Sequence, residues 1–211
     1  MMVYLGMLFS CLFFSQLSGL DAHLENACTD VYNKAINNYW GVNESASGPG
    51  STLEQTKTIR DGVAKVVKTF NVRSVLDIPC GDFNWMKHVD LDGVVYIGAD
   101  LVKPMIEENN KRYKDENRTF MQLDVTQDEL PHVDLIFCRD LLVHLSVEDI
   151  IKAIKNFKRS GAKYVLTTTF VGRNRDVNYQ ISSIYGWRPI DLQKAPFNFP
   201  TPELIINEHC T

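Results

Sequence analysis

Residues 75–83 constrain the fold of this chain more than any other segment. Their sequence, VLDIPCGDF, places an apolar run before an acid, Asp77, and then a tight turn that contains Gly81. In a parallel α/β sheet such a turn ends a strand, and a helix follows within a few residues. Unpaired N–H groups at the helix start form a pocket at the carboxyl edge of the sheet. The segment therefore predicts a Rossmann-like domain with a nucleotide site.

The glycine pattern of this turn helps to choose between nucleotides. A dinucleotide fingerprint would need glycine at positions 79, 81 and 84, but the chain has Pro79, Gly81 and Asn84. One glycine of three is a weak match. The segment also reads as an altered acid-x-Gly-x-Gly-x-Gly pattern in which Pro79 and Phe83 replace two glycines. This second pattern describes the turn better.

Acids follow two further predicted strands. Asp100 ends an apolar run nineteen residues after Gly81, where βαβ nucleotide folds place the carboxylate that accepts the ribose hydroxyls. Asp124 ends the next run. An alternative explanation is that aspartate is simply common in turns at strand ends. Three strands in succession that each end in an acid favour a binding site.

Longer segments resemble class I S-adenosylmethionine (SAM) dependent methyltransferases, in particular a group of largely uncharacterised methyltransferase-domain proteins. The resemblance covers about residues 40–211, and its motifs are residues 47–56, 77–86, 138–145, 167–170 and 187–189. It implies an α/β, Rossmann-like sandwich with a mostly parallel sheet in the order 3-2-1-4-5-6. No segment was found for the final antiparallel strand of that class, so the sheet is expected to lack it.

The resemblance also implies a SAM site. Asp77 and Gly81 would hold the donor, Asp100 would accept the ribose hydroxyls, and Asp124 would take the adenine amino group. The other residues predicted for this site lie beside these four: Pro79, Cys80, Asp82, Trp85, Leu101 and Val125. For Trp85 the alternative is a place in the hydrophobic core, as is common for aromatic residues at the start of a helix.

Three residues after the fourth predicted strand are the candidates for catalysis. His144 is the candidate general base, because imidazole accepts a proton near neutral pH. Asp140 would orient His144 or hold the ammonium group of the donor. Arg139 would bind an anionic group of the substrate, or it would only pair with a surface acid. His144 has an alternative role as a hydrogen-bonding residue at a helix start.

Two functions remain open. The first is methyl transfer from SAM to a small-molecule or glycan acceptor. The second is a secreted or lumenal binding protein that keeps the methyltransferase fold without catalysis. A net charge of −4 and a pI near 5.7 give no reason to expect a nucleic-acid partner. The sequence does not indicate an oligomeric state.

The first twenty residues carry no charged side chain, so residues 1–21 are predicted to be a signal peptide or a signal anchor. Cleavage would send the protein to the secretory pathway or outside the cell, whereas an uncleaved anchor would hold it at a membrane. A wrongly assigned start methionine is the third alternative, and the protein is cytoplasmic if the leader has no function. Residues 22–50 are predicted to be a polar, loop-like segment, and residues 51–211 the methyltransferase-like domain.

The cysteines do not form a metal-binding pattern. Without Cys11 in the leader, four remain, an even number that would allow two disulfides in an oxidising compartment. The alternative for Cys80 and Cys138 is a pair of buried free thiols. No two cysteines are spaced as CxxC, so no metal site is predicted.

Helical periodicity predicts the main helices. A capping box at Ser51 and Glu54 predicts a helix over about 52–70. Pro104 suits the first turn of the next helix, and Ser146 caps a third that Gly161 stops. The last predicted strand covers residues 204–207.

Overall fold

The structure is a computed structural model that describes residues 1–7, 22–37, 41, 43–173 and 186–209. The strands in these ranges form one seven-stranded sheet. Its strands are β1 (Met2–Met7), β2 (Ser74–Asp77), β3 (Val95–Asp100), β4 (Arg118–Gln122), β5 (Leu135–Cys138), β6 (Tyr164–Thr169) and β7 (Leu204–Asn207). The helices are α1 (Ala22–Ala35), α2 (Lys57–Thr69), α3 (Lys103–Tyr113) and α4 (Val147–Arg159).

The order of the strands is β4-β3-β2-β5-β6-β1-β7. Strands β4, β3, β2, β5 and β6 are parallel neighbours, so their carboxyl ends meet at one edge of the sheet. The chain reverses direction across the sheet between β2 and β5, and a crevice opens at such a point in doubly wound folds. Because β2 ends at Asp77 and β5 at Cys138, the predicted site residues lie around this crevice.

An antiparallel strand corrects the predicted topology. If β1 is left out, the order matches the predicted 3-2-1-4-5-6. The structure nevertheless places β1 between β6 and β7, antiparallel to both. The place of the final antiparallel strand, which was expected to be missing, is therefore occupied by β1 from the amino-terminal end of the chain. Val3 and Leu5 have no exposed surface there, which explains why this apolar run can join the sheet.

Leu5 provides a test of the placement of β1. We expect Leu5→Ala to lower the free energy of unfolding by about 2–5 kcal/mol, the usual cost of a cavity in a core. Urea unfolding followed by circular dichroism measures the loss. Ile205→Ala on the neighbouring strand β7 is the control, since its side chain is 46% exposed. A Leu5→Ala protein as stable as the wild type would show that β1 is absent from the folded domain.

Side chains on the two faces of the sheet form two hydrophobic clusters. One contains Val75 and residues of α2 such as Ile59 and Val63. The other contains Leu76 and residues of α4 such as Ile150. Successive strand residues thus point to opposite faces, as the pleat requires. Helices on both faces bury the central strands.

Most predicted helix signals are confirmed. The Ser146 hydroxyl accepts a hydrogen bond from the Asp149 N–H at 3.1 Å and caps α4. Gly161 follows this helix with a φ of 74°, in the left-handed region that favours glycine. Pro104 lies in the first turn of α3. The strand predicted over residues 204–207 is β7.

Two predictions about the amino-terminal third are wrong. The helix predicted from about residue 52 begins at Lys57, because Thr52 organises a separate turn in which its carbonyl accepts from both the Thr56 N–H and the Thr56 hydroxyl. Ser51 ends a 3₁₀ turn instead of capping the helix. Residues 22–35, predicted as loop, form α1. Its polar sequence conceals a half-buried face that packs near α3.

The predicted leader is described only in part. Residues 8–21 lie outside the described residues, so leader cleavage and a secretory location stay predictions. In the described part of the chain, no helix combines the length and apolar character needed to cross a bilayer.

Candidate functional site

The turn after β2 brings Gly81 and Asp100 together. Gly81 has a φ of 56°, and its N–H donates to Asp100 Oδ2 at 3.2 Å. The other carboxylate oxygen of Asp100 accepts from the Val102 N–H at 3.1 Å. Burial raises the pKa of Asp100 to about 6, against the lowering effect of these backbone N–H groups. Asp100 is thus a fixed, buried carboxylate at the ligand edge, next to the Gly81 turn.

Asp77 has a different environment. The Tyr96 hydroxyl donates to Asp77 Oδ2 at 2.5 Å, and both side chains are buried. Burial raises the pKa of Asp77 to about 8, and the hydrogen bond from Tyr96 opposes part of this rise. Asp77 therefore belongs to a buried hydrogen-bonded pair beneath the turn, and its role toward the donor stays a prediction.

Asp82 anchors a segment that precedes α2. Its carboxylate accepts from the Ser45 hydroxyl at 3.0 Å, the Ala46 N–H at 2.7 Å and the Ser47 hydroxyl at 3.2 Å. The Asp82 N–H donates to Ser47 Oγ at 3.0 Å. A Cβ at Gly81 would collide with the Ser47 hydroxyl, so the absence of a side chain at Gly81 permits this close approach.

We call residues 43–53 the cover segment, because they lie over the crevice between β2 and β5. Asn84 Nδ2 donates to Glu44 Oε1 at 3.0 Å and to the Ser51 carbonyl at 3.1 Å, which fixes one side. On the other side, a Cβ added to Gly50 would lie 3.6 Å from Asp140 Oδ2. The cover segment therefore joins the turn after β2 to the loop after β5.

Helix α1 lies over the remaining part of the carboxyl edge. Gln122, the last residue of β4, donates to Glu25 of α1 at 2.8 Å and to the Leu101 carbonyl at 3.0 Å. Burial raises the pKa of the Cys28 thiol to about 11, and the charges of Asp100 and Asp124 add to this rise. Cys28 therefore faces the same edge as these two acids. Leu101, predicted for the cofactor site, contributes its backbone here.

Asp124 shows the geometry of a turn residue. Its Oδ1 accepts from the Thr126 N–H at 2.8 Å and the Thr126 hydroxyl at 2.6 Å. Its Oδ2 accepts from Gln127 Nε2 at 2.7 Å. The next residue, Val125, is buried, and its carbonyl accepts from Asn156 at 2.8 Å. The structure thus engages Asp124 locally, and its role toward adenine stays a prediction.

Three other residues predicted for the cofactor site lie at or below the turn. Trp85 is buried and packs edge-on against Phe137, with ring centroids 5.8 Å apart. It therefore lies in the hydrophobic core, which was the alternative prediction for this residue. The Cys80 N–H donates to the Ala99 carbonyl at 2.8 Å, and its side chain is buried. Pro79 connects this buried cysteine to the end of β2.

Arg139 forms a buried ion pair. Its Nη2 lies 2.9 Å from Glu208 Oε2, and its Nε donates to the same oxygen at 3.2 Å. The guanidinium also lies 5.6 Å from the centroid of the Trp85 ring. Of the two roles considered for Arg139, the structure shows pairing with an acid, but the acid is buried and not on the surface. The guanidinium is thus engaged by Glu208, and a role of Arg139 toward a substrate stays a prediction.

Asp140 is held in an unusual conformation at the end of β5. Its φ is 61°, which is uncommon for a residue with a side chain and concentrates at functional sites. Its N–H donates to Thr168 Oγ1 at 2.9 Å, while Oδ1 is buried without a hydrogen-bond partner in the described part of the chain. Such an oxygen is costly unless a ligand donates to it.

His144 lies in a 3₁₀ turn after β5 (Leu142–His144). Its Nδ1 is 2.6 Å from the Gly186 carbonyl oxygen. A carbonyl only accepts hydrogen bonds, so Nδ1 must carry the proton and Nε2 of the neutral ring keeps its lone pair. The contact fixes the tautomer that a general base needs. The structure does not bring His144 into hydrogen-bonding contact with Asp140.

The described cysteines are free thiols. Cys80 and Cys138 are buried and Cys28 is half-buried, with no disulfide among them. Cys11 and Cys210 lie outside the described residues. Within the described ranges, no group of histidine, cysteine and acidic side chains has the arrangement of a metal site.

Several residues of the site were not predicted. Tyr96 lies inside a predicted strand, and its contact with Asp77 depends on the register between β2 and β3. Glu208 is distant from Arg139 in sequence. The sequence analysis gave Ser45 no role. Ser47 and Gly50 lie in the motif at residues 47–56 that carries the family resemblance, but no role was predicted for either residue. That motif was the available signal for the cover segment.

Comparison with known proteins agrees with this geometry. Residues 75–162 match a family model described as a methyltransferase domain. The structure of magnesium protoporphyrin IX methyltransferase (ChlM) from Synechocystis PCC 6803 with bound SAM is 17% identical; the alignment covers 75% of this chain and 82% of that chain, with a TM-score of 0.51. No curated protein matches the chain at a significant level.

Two further solved structures are less similar overall. The methyltransferase domain of bacterial CtHen1 is 18% identical over 55% of this chain and 66% of that chain, with a TM-score of 0.49. The N-methyltransferase NodS from Bradyrhizobium japonicum WM9, in complex with S-adenosyl-L-homocysteine (SAH), is 16% identical over 62% of this chain and 66% of that chain, with a TM-score of 0.48.

The chain thus has two similarities to methyltransferases, the matched segment and the fold shared with ChlM. The matched segment begins at β2 and continues through α4, so it contains the Gly81 turn, Asp100 and His144. Residues 75–162 therefore match the methyltransferase domain model, and the chain has an α/β, Rossmann-like methyltransferase fold, which it shares with ChlM.

Proposed function

We propose that this protein transfers a methyl group from SAM to a hydroxyl of a small-molecule or glycan acceptor. The observation that carries the proposal is the buried Asp100 carboxylate, fixed by the Gly81 N–H at the edge of the crevice. It is a buried acid at the position where this fold receives a ribose. The cover segment and α1 lie over the same edge, so a bound donor would be shielded from water.

The residues of this chain fit the polar groups of SAM. Asp100 keeps a lone pair that can accept from a diol. A carboxylate offers about four lone-pair sites, and the backbone N–H groups of Gly81, Leu101 and Val102 occupy at most three of them. Asp140 Oδ1 is a buried acceptor that needs a donor, which an ammonium group would supply. When bound, SAM supplies an electrophilic methyl group on a sulfonium.

His144 would activate the acceptor. With Nδ1 held by the Gly186 carbonyl, Nε2 can take the proton of an acceptor hydroxyl as the oxygen becomes a nucleophile. The hydrogen bond from Nδ1–H to the carbonyl then stabilises the imidazolium that forms. Asp140 would contribute through the fixed position of its carboxylate. Its backbone conformation holds this group beside the cover segment.

A transfer assay tests this function. The full chain is incubated with SAM labelled in the methyl group and a panel of hydroxyl-bearing small molecules and glycans, and labelled products are separated by chromatography. The proposal expects SAH and a labelled product in equal amounts with at least one acceptor class. A folded protein that binds SAM but labels no acceptor would favour the binding protein without catalysis.

A further inference from the structure

Arg188 is a buried cation that has no ion-pair partner in the part of the chain that the structure describes. Its side chain is among the largest that the fold encloses, with 2% of the residue exposed. Nη2 donates to the Leu145 carbonyl at 2.6 Å, whereas Nη1 is buried and has no hydrogen-bond partner among the described residues. Among the residues that the structure describes, no carboxylate forms an ion pair with it. Arg139 is also buried, and its guanidinium pairs with Glu208.

The environment of Arg188 favours an anionic ligand. Removing a guanidinium from water is costly, and folded proteins offset the cost with a paired charge. Burial lowers the pKa of Arg188, and no neighbouring charge opposes this effect. A neutral carbonyl at Nη2 compensates one nitrogen only. An anion that accepts a hydrogen bond from Nη1 would offset the remaining cost of burying the guanidinium. The environment of Arg188 therefore favours anion binding.

Arg188 lies on the segment that orients the candidate base. The Gly186 carbonyl accepts from His144 Nδ1, and the Arg188 N–H donates to the Val143 carbonyl at 3.1 Å. Between them, Trp187 packs edge-on against Phe170 with centroids 5.2 Å apart, and Trp187 is 41% exposed. Residues 186–188 therefore follow the turn of His144, with an exposed aromatic surface beside it.

The charges at this edge suggest what kind of anion binds. Asp140 suits the ammonium group of the donor, and Arg188 suits a negative charge. The donor has a carboxylate of its own, but Arg188 is hydrogen-bonded to both sides of the His144 turn, where the acceptor would bind. A single guanidinium balances one unit of charge, which matches a carboxylate and leaves a phosphate with excess charge. We propose that Arg188 binds a carboxylate of the methyl acceptor, so that the acceptor is a hydroxy acid. This inference rests on the proposed function.

Binding of a matched pair of probes tests the inference without turnover. Calorimetric titration of the full chain with benzoate and benzamide, with and without SAH, compares a carboxylate with a neutral amide on the same ring. Benzoate should bind about tenfold more tightly or better, the usual effect of a charge-assisted hydrogen bond. Equal affinities, or no binding of benzoate, would overturn the proposal. Tighter binding of phenyl phosphate than of benzoate would overturn its carboxylate part.

Substitution assigns the effect to one residue. Arg188→Met should abolish the preference for benzoate while SAH affinity stays within about twofold of wild type, because Asp100 and the Gly81 turn are unchanged. Retained preference in the folded variant would exclude Arg188. If Arg188→Met does not fold, Arg188→Lys keeps the charge without the planar fork and should give an intermediate preference. Wild-type protein that prefers benzoate but does not bind SAH would refute the proposed function and not the anion site.

Discussion

Replacement of His144 by alanine is expected to lower the turnover number by about 10²–10⁴, the range typical of lost general acid–base catalysis. The Nδ1 contact with Gly186 fixes the tautomer that leaves Nε2 able to accept a proton, and alanine removes this acceptor. SAM affinity should stay within about twofold, since His144 does not contact the residues proposed to hold the donor. Turnover is measured with labelled SAM and the acceptor found by screening.

His132→Ala is the matched control for this experiment. Like His144, His132 has Nδ1 close to a backbone carbonyl, that of Ser160 at 2.9 Å. It precedes β5, however, and therefore lies toward the opposite edge of the sheet. Wild-type turnover in a folded His144→Ala protein would reduce His144 to a structural residue of its 3₁₀ turn, and catalysis would then depend on proximity alone.

Removal of Arg139 is expected to cost about 3–5 kcal/mol of the free energy of unfolding, because it takes the guanidinium away from the buried Glu208 carboxylate. Burial raises the pKa of Glu208, and Arg139 opposes that rise. In Arg139→Met, protonation of Glu208 would relieve part of the cost. The deficit should therefore be largest above the raised pKa and shrink as the pH falls through it. Urea unfolding at several pH values measures this.

The double variant Arg139→Met with Glu208→Gln is the control, since it removes both charges. It should recover much of the stability lost in the single variant, because a neutral pair avoids an unpaired buried charge. A single variant as stable as the wild type at all pH values would contradict the buried ion pair. The same result would reopen the substrate-binding role of Arg139.

The features of the fold that could be predicted from the sequence depend on residues close together in the chain. The cap at Ser146 and the stop at Gly161 were predictable, since each depends on a few neighbouring residues. Asp100 was predictable at its strand end because the spacing from the Gly81 turn reflects one βαβ unit. These features follow from periodicity and turn chemistry alone.

Apart from the Thr52 turn before α2, the features that sequence analysis missed depend on long-range contacts. Placement of β1 between β6 and β7 depends on pairing across more than 150 residues, and no local pattern specifies it. Glu208 is 69 residues from Arg139. The cover segment needs Asp82 to accept from residues that precede α2. Polar residues that read as loop in isolation thus gain their structure from the domain.

The most direct test of the account is the affinity for SAM, measured by calorimetry on the full chain. Asp100→Ala should weaken binding by about 2–3 kcal/mol, or roughly 30- to 150-fold, since the ribose hydroxyls lose a charged acceptor. Asp115→Ala, which removes an exposed carboxylate near the opposite edge, should have little effect. Burial raises the pKa of Asp100 to about 6, so wild-type affinity should fall as the pH drops through about 6. Folded protein that binds neither SAM nor SAH, or an Asp100→Ala protein with unchanged affinity, would contradict the account.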